Sequence, residues 1–325
     1  MYIFKTLLVQ TIWGGDAIAA LKGLETDMTS VGESWEISAI KGTQSVVADG
    51  KDEGKTITEL IEEQKERLVG KGIYARYGNT FPLLIKFIDA RSDLSIQVHP
   101  DDDVALTRHG SRGKTEMWYI VNAEDYSYIR MGFNQPVKKE DYSCMVENHT
   151  FADVLNKVMV SQGDVYYLPA GRVHCLGPGT VVAEIQETSD ITYRIYDYGR
   201  KDANGNEREL HTELAKDVID YSALTEFQTP YEKVKDKRAE LVDCKHFTTN
   251  LLDMTKTYHA DYKDLDSFVV LMCMEGGATV KEIGPDGEQT RAIKQGTTVL
   301  LPATTQEVEI APEDNCKMLE VYIKA

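Results

Sequence analysis

Short runs in which apolar and polar residues alternate, separated by turn-forming glycine, proline, asparagine and aspartate, occupy much of this 325-residue chain. A period of two is the spacing of side chains on one face of a β-strand. The pattern predicts strands at 81–90, 94–99 and 117–121, and several between 165 and 198. The chain is therefore predicted to be mainly β.

The pattern changes to helical spacing in two places. Thr56 and Glu59 have capping-box spacing, and the apolar residues after them predict a helical segment at about 50–72. A second helical segment is expected at about 135–160 because leucine, valine and charged residues alternate there with a longer period. Both segments are predicted to be insertions that pack beside a β-structure.

The last hundred residues contain a second β-rich unit. Strands are predicted at 268–274, 279–283, 297–301 and 318–323, with turn residues between them. The spacing G-x5-P-A occurs at Gly163–Pro169 and again at Gly296–Pro302, which suggests two similar barrels. We expect a catalytic domain at 1–230 and a smaller unit without metal ligands at 231–325.

The net charge of −17 and the pI near 4.9 repel nucleic acids and anionic lipids, so neither is an expected partner. An anionic ligand would need a local cluster of basic groups. The five cysteines are an odd number without C-x-x-C spacing, which argues against a disulfide framework. No apolar run has membrane-spanning length and no secretory signal is recognisable, so a soluble cytoplasmic protein is expected.

A concentrated group of reactive residues begins at Gly163. The spacing G-x5-P-x-G-x2-H, formed by Gly163, Pro169, Gly171 and His174, resembles the second metal-binding motif of cupin barrels. The fixed φ of proline and the freedom of glycine make a tight turn that delivers His174 to the next strand. This motif requires further ligands upstream.

Two upstream strands supply those ligands. Gln97 and His99 lie two residues apart and therefore share one face of a strand. Glu116 is predicted to point inward between apolar neighbours, which is costly unless the carboxylate is paired or bound to a metal. Gln97, His99, Glu116 and His174 form a mixed nitrogen and oxygen set that suits Zn²⁺ and also admits manganese, iron or cobalt.

Basic residues near this set are candidates for substrate contact. Lys86 interrupts an apolar strand, and Lys114 precedes Glu116 by two residues. A lysine that is buried near other cations has a lowered pKa, which would suit a proton relay. Glu184 and Glu187 are alternatives for proton transfer or for orienting neighbouring groups, and the sequence leaves the base unassigned.

The whole set of motifs resembles the type I mannose-6-phosphate isomerases, especially the short bacterial form. The resemblance rests on PLLIKFIDA, LSIQVHPDD, GKTEMWYI, LPAGRVHCLGPG and AEIQETSDITYRIYDYGR, with WGG and GESWEIS earlier in the chain. It extends from about residue 13 to residue 200 and more weakly over the rest. Cys175 departs from the pattern, which has a small residue such as alanine there.

The resemblance implies two cupin-like jelly-roll barrels with a packed helical segment. It implies a zinc-dependent aldose–ketose isomerase that interconverts mannose 6-phosphate and fructose 6-phosphate through a cis-enediol. One Zn²⁺ per chain would be held by Gln97, His99, Glu116 and His174, and Arg194 would be the active-site arginine.

The chemistry of the isomerisation gives each basic residue an expected role. Arg194 is always protonated and presents a planar fork, so it should bind the enediolate or the phosphate rather than act as a base. Lys114 is expected to be catalytic, and Lys86, Lys114 and Arg194 are expected to bind substrate. The chain is expected to act as a monomer or homodimer.

Two other functions compete with an isomerase. A cupin oxygenase would use iron with a histidine-rich ligand set, and Gln97 in place of a histidine disfavours it. A sugar-phosphate sensor would bind without turnover, and the presence of all four ligands together with Lys114 and Arg194 argues against it.

Overall fold

The computed structural model describes residues 1–202 and 204–324, and their strands form three antiparallel sheets. The prediction of a mainly β chain is confirmed. The first sheet contains β1 (Leu7–Gly15), β2 (Val31–Ile37), β3 (Leu83–Ala90), β5 (Glu116–Ala123), β8 (Val165–Leu168) and β10 (Thr180–Glu187). Its order is β1, β2, β3, β10, β5, β8.

The second sheet has five shorter strands. They are β4 (Ile96–Val98), β6 (Tyr128–Phe133), β7 (Leu155–Met159), β9 (His174–Leu176) and β11 (Tyr193–Tyr196). Their order is β11, β4, β9, β6, β7. β10 lies between β3 and β5, and β4 lies between β11 and β9, although these strands are far apart in sequence, so the motifs they carry meet only when the strands pair.

Apolar side chains from both sheets form one buried cluster between them. Ile88, Trp118 and Val182 come from the six-stranded sheet, and Ile129 and Leu176 come from the five-stranded sheet. The strict alternation of β-strands sends the residues in between to the opposite face. The two sheets therefore pack face to face and enclose the space into which the polar site residues point.

The outer face of the six-stranded sheet is also buried. Phe87, Met117 and Ala183 belong to a cluster that includes Phe268 and Leu319 from the C-terminal part of the chain. Because this cluster crosses residue 230, hydrophobic contact joins the regions on either side of it. The division into domains at 230 stays a prediction.

The third sheet forms the C-terminal unit. It contains β12 (Arg238–Asp243), β13 (Thr248–Met254), β14 (Tyr258–Asp261), β15 (Val269–Gly284), β16 (Gly287–Lys294), β17 (Thr298–Leu301) and β18 (Glu307–Tyr322). The strands predicted at 268–274 and 279–283 are one continuous strand, β15. Irregular pairing around Gly276 bends β15 against β18 without ending it.

The helices are short and lie outside the sheets. They are α1 (Ala17–Lys22), α2 (Ile57–Gln64), α3 (Glu66–Val69), α4 (Lys71–Tyr77), α5 (Asp102–His109), α6 (Tyr142–Glu147) and α7 (Thr212–Lys216), with 3₁₀ turns at Lys139–Asp141 and Phe151–Val154. The Thr56 and Glu59 capping box is present. A left-handed Lys65, with φ of 53°, separates α2 from α3.

The second predicted helical segment differs from the structure at its end. Residues 155–159 form β7, an edge strand that pairs with β6, instead of a helix. Leu155, Lys157 and Met159 favour a helix intrinsically, so the pairing with β6 overrides the local propensity. Among the described residues, no helix is long and apolar enough to cross a membrane.

Candidate active site

One row of polar and aromatic side chains crosses the six-stranded sheet. Lys86 on β3 is the register partner of Glu184 on β10, and Glu184 is the partner of Trp118 on β5. The Lys86 ammonium lies 3.7 Å from Glu184 Oε1 and 3.5 Å from Glu33 Oε2, and it lies over the Trp35 ring. The predicted buried lysine is thus held between carboxylates and an aromatic face.

A second row crosses the opposing sheet. Gln97 on β4 is the register partner of Arg194 on β11 on one side and of His174 on β9 on the other. The Gln97 amide Nε2 lies 3.3 Å from His174 Nε2, and the amide oxygen accepts a hydrogen bond from Ser95. The short strand 94–99 therefore brings a residue from each flanking motif next to Gln97.

The two rows line one polar pocket of about 180 Å³. Lys86, Gln97, Lys114, Glu184 and Arg194 all contribute to its wall. The remaining lining residues are Trp13, Glu33, Trp35, Ile88, Leu94, Ser95, Trp118, Asp190, Thr192 and Arg208. Its size and mixture of aromatic, cationic and anionic side chains suit a small charged ligand.

Three predicted ligands meet at the base of this region. The ligand atoms of His99, Glu116 and His174 all lie within 4.8 Å of one another, and all three residues are buried. His174 Nε2 is 3.2 Å from Glu116 Oε1, and His99 Nε2 is 3.5 Å from Glu116 Oε2. The sequence-predicted ligands are therefore brought together around one point.

Backbone carbonyl groups orient both imidazoles. His99 Nδ1 lies 2.9 Å from the carbonyl oxygen of Ile191, and His174 Nδ1 lies 2.9 Å from that of Arg172. A carbonyl oxygen can only accept, so the hydrogen bonds assign the proton of each neutral ring to Nδ1. Both Nε2 atoms are then acceptors; that of His99 faces Lys114 and Glu116, and that of His174 faces Gln97 and Glu116.

Burial keeps these rings neutral. It lowers the pKa of His174 to about 4 and the pKa of His99 well below its ordinary value, with Lys114 acting in the same direction. His174 Nε2 and Glu116 Oε1 are then two acceptors that face each other, and Glu116 Oε1 accepts no hydrogen bond within the described chain. Neutral imidazole nitrogens and a carboxylate oxygen are ligand atoms that divalent metals accept, so these residues fit a metal ion.

Gln97 completes the set once its amide is oriented. Nε2 is the atom directed toward His174, whereas a metal ligand must present the oxygen. A half-turn of the terminal amide exchanges the two atoms without moving the rest of the side chain. The Gln97 amide lies beside His174, and binding of a metal through Oε1 would require that rotation, so Gln97 as a ligand stays a prediction.

Lys114 reaches the same acceptors. Its ammonium donates a 2.6 Å hydrogen bond to Glu116 Oε2 and lies 3.1 Å from His99 Nε2. Burial alone would lower the lysine pKa, but the carboxylates of Glu116 and Glu184 outweigh burial and raise it. The expectation of a lowered Lys114 pKa is wrong, because the nearest charges are carboxylates rather than cations.

The pKa values of the two buried carboxylates are shifted in opposite directions. Burial raises the pKa of Glu116 to about 7 against the opposing effect of Lys114. Burial also raises that of Glu184, but Lys114, Lys86 and the Trp118 hydrogen bond outweigh it, so the Glu184 pKa is lowered. Glu184 is thus an ionised carboxylate in the pocket wall, and its Oε1 accepts no hydrogen bond among the described residues.

Arg194 lies at the rim as part of an arginine pair. Its Nη1 donates a 2.8 Å hydrogen bond to the carbonyl oxygen of Glu209, and its buried Nε has no partner in the described chain. Burial lowers the pKa of Arg194, and the neighbouring Arg208 adds to this effect. Arg208 was not predicted as a site residue, since the polar stretch around it resembles an ordinary turn.

Glu187 lies outside the pocket although Glu184 lines it. Three residues of separation place the two side chains on opposite faces of β10. The Glu187 carboxylate accepts a 2.9 Å hydrogen bond from the Thr115 amide and lies 2.7 Å from His246 Nδ1. Of the two alternatives for proton transfer, only Glu184 contacts the site.

Comparison with known proteins agrees with this geometry. Residues 1–128 match the family model of the phosphomannose isomerase type I catalytic domain. The chain is 35% identical to mannose-6-phosphate isomerase ManA of Bacillus subtilis over 96% of both chains. It is 39% identical to mannose-6-phosphate isomerase of Streptococcus mutans over 64% of both.

Solved structures have the same fold. The crystal structure of the mannose 6-phosphate isomerase from Bacillus subtilis superposes with a TM-score of 0.88 and 32% identity, covering 99% of each chain. A putative mannosephosphate isomerase from Archaeoglobus fulgidus has a TM-score of 0.80 at 24% identity, covering 100% of this chain and 97% of the other, and shows the fold alone. The cupin-like architecture is thereby confirmed.

Proposed function

The chain belongs to the family of type I mannose-6-phosphate isomerases, and we propose that it interconverts D-mannose 6-phosphate and D-fructose 6-phosphate in the pocket between its two N-terminal sheets. The observation that carries the proposal is the meeting of His99, Glu116 and His174 beside Lys114. A cluster of buried acceptors next to the Lys114 ammonium suits chemistry in which negative charge develops on sugar oxygens.

The metal is proposed to be one Zn²⁺ per chain, held by Gln97, His99, Glu116 and His174. Neutral imidazoles, a carboxylate and an amide oxygen suit zinc, and other divalent metals can use the same donors. When bound, the ion acts as a Lewis acid that polarises the substrate oxygens. A metal cofactor agrees with the family, and the choice of zinc is our proposal.

The isomerisation requires a proton to leave the carbon next to the carbonyl group and return to the neighbouring carbon. We assign the transfer to Glu184, because its carboxylate is ionised and has a free oxygen in the pocket wall. Lys114 lines the pocket beside Glu116, where its ammonium can stabilise the oxyanion of the cis-enediol electrostatically. In the proposed roles Lys114 is catalytic but is not the base.

The phosphate is proposed to bind through the cations of the pocket. Arg194 has a buried Nε without a partner, and Arg208 adds a second guanidinium beside it. Lys86 extends this positive region along the opposite wall. Such local charge overcomes the repulsion of a chain with a net charge of −17.

The net charge and the cysteines also bear on the partners and the location of the protein. The net charge supports a protein that does not bind nucleic acid. The free cysteines suit a reducing cytoplasm. We propose a cytoplasmic enzyme that acts on a small sugar phosphate as a monomer or homodimer.

A turnover assay with metal control tests the function. Protein stripped with a chelator and reloaded with Zn²⁺ should convert mannose 6-phosphate to fructose 6-phosphate without consuming oxygen, whereas the stripped protein should be inactive. Arg194→Ala should strongly reduce turnover. Tight binding of mannose 6-phosphate without product would favour a sensor, and oxygen uptake would favour an oxygenase; either result contradicts the proposal.

A further inference from the structure

A second cluster of titratable side chains lies behind the active-site wall. His246 belongs to the turn between β12 and β13 in the C-terminal sheet, and its side chain is buried. Its ligand atom lies within 4.8 Å of those of Asp102 and Glu187, which belong to the N-terminal part of the chain. A buried imidazole from the C-terminal unit thus meets one carboxylate at the start of α5 and one at the end of β10.

Both carboxylates hold the backbone of one short segment. Glu187 accepts a 2.9 Å hydrogen bond from the Thr115 amide, and Asp102 accepts a 3.0 Å hydrogen bond from the Gly113 amide. Glu187 also donates its own amide to the Thr115 carbonyl oxygen at 3.1 Å. Segment 113–116 is therefore fixed from outside at alternate residues.

The side chains next to these anchored amides point to the opposite side, toward the active site. Lys114 and Glu116 contact each other and His99 at the candidate metal centre. Strand alternation requires that a shift of the Thr115 backbone also displaces the side chains before and after it. The position of the Lys114 ammonium relative to Glu116 thus depends on what holds Thr115.

We propose that His246 is a positioning residue for the active site, acting through Glu187 and Asp102 on segment 113–116. His246 Nδ1 lies 2.7 Å from Glu187 Oε1, an ion-pair distance at which Nδ1 makes no well-angled hydrogen bond among the described residues, while Glu187 Oε2 accepts from Thr115. None of the described residues of the C-terminal unit lines the pocket, yet this unit supplies the imidazole. Only the kinetic test of this inference rests on the proposed function.

The kinetic test compares His246→Ala with two controls in the full-length metal-loaded protein. His246→Ala should lower kcat for mannose 6-phosphate about 10- to 100-fold, because small misplacements of catalytic groups are costly, while KM changes less than about threefold. His246→Asn places an amide near the position of Nδ1 and should restore most of kcat. His259→Ala removes an exposed imidazole of the same unit and should have no effect.

A purely structural role makes a different prediction. Val299→Ala creates a cavity in the buried C-terminal cluster away from segment 113–116, so it lowers stability without changing the positioning contact. At temperatures where both proteins are folded, Val299→Ala should keep the wild-type kcat. If Val299→Ala lowers kcat as much as His246→Ala, or His246→Ala leaves kcat unchanged, the proposal is wrong.

Hydrogen exchange gives a readout that does not need catalysis. His246→Ala should accelerate exchange of the Gly113 and Thr115 amides, and Val299→Ala should leave these two amides as in wild type. If the wild-type protein fails to turn over mannose 6-phosphate, the proposed function fails while exchange still decides the positioning role.

Should His246→Ala not fold, Glu187→Gln provides the same test, since it retains an acceptor but alters the contact with His246. Unchanged exchange in the folded variant would overturn the inference.

Discussion

Trp118 and Glu184 meet across β5 and β10, where the indole Nε1 donates a 2.8 Å hydrogen bond to Glu184 Oε2. Both side chains are buried, and the indole also packs edge-on against His174 with ring centroids 5.4 Å apart. One aromatic side chain therefore contacts both the ionised carboxylate of the pocket and an imidazole of the candidate metal centre.

Replacing this indole should impair both folding and turnover. Trp118→Phe leaves Glu184 Oε2 buried without its donor, which should lower the free energy of unfolding by roughly 1–3 kcal/mol. It should also lower kcat about 10- to 100-fold, as expected for loss of an orienting partner. Urea unfolding and steady-state kinetics measure the two effects.

Trp35→Phe is the matched control. Its indole Nε1 donates a 2.6 Å hydrogen bond to Glu33, a partly buried residue farther from the ligands. We expect a smaller loss of kcat, because Glu33 does not contact His174 or Glu116. Equal losses of kcat in the two variants would contradict the role assigned to the Trp118–Glu184 hydrogen bond.

The amide of Gln97 should contribute measurably to metal affinity. Gln97→Ala removes one of four proposed donors and should weaken Zn²⁺ binding at least about tenfold. Competition with a chromophoric chelator measures this without turnover. Ser95→Ala removes only the hydroxyl that bonds the amide oxygen and should have a smaller effect. Wild-type affinity in Gln97→Ala would remove Gln97 from the ligand set.

Arg208 should bind the phosphate. Arg208→Gln removes a charge-assisted contact worth roughly 1.5–3 kcal/mol, so KM for mannose 6-phosphate should rise about 10- to 100-fold. Inorganic phosphate should inhibit the variant more weakly by a similar factor. Inhibition constants and KM measured at fixed ionic strength provide the comparison.

Arg291→Gln controls for the loss of an arginine–aspartate ion pair. Arg291 contacts Asp49 through two hydrogen bonds, as Arg208 contacts Asp197, but it lies away from the pocket. Its KM should equal that of wild type. If Arg208→Gln also keeps the wild-type KM, Arg208 only stabilises its loop.

The alternation of side chains along a β-strand explains why much of the site could be predicted from sequence. The period of two is local, so Gln97 and His99 could be assigned to one face and Arg194 to the polar face of its strand without knowledge of the pairing. The structure places Gln97 and Arg194 side by side in register. Directions of side chains are therefore encoded within a few residues.

Charges from distant strands could not be predicted in this way. The raised pKa of Lys114 comes first from Glu116, two residues away, and then from Glu184, which becomes its neighbour only through the pairing of β10 with β5. His246 approaches Glu187 only because the C-terminal sheet packs behind β10. Such contacts depend on register and packing, which short-range sequence patterns do not specify.

Asp197 should make folding stability depend on acid pH. It accepts hydrogen bonds from Arg208 at 2.5 and 2.7 Å and from Arg200. Burial raises the pKa of Asp197, but these hydrogen bonds outweigh burial and lower the pKa. The ionised form is then favoured by folding, so its stabilisation is present above the unfolded pKa near ~3.9 and is lost as pH falls through the lower folded value.

Asp197→Asn tests the direction in which stability changes with pH. Its free energy of unfolding should fall below that of wild type by roughly 1–3 kcal/mol between pH 5 and pH 7, and the difference should shrink below about pH 4. Urea unfolding at a series of pH values measures the difference. Asp217→Asn, which removes an exposed partner of Arg108 and Lys139, should change stability by less than about 1 kcal/mol. A difference for Asp197→Asn that stays constant down to pH 3 would show that the Asp197 carboxylate does not gain its stability by remaining ionised in the fold.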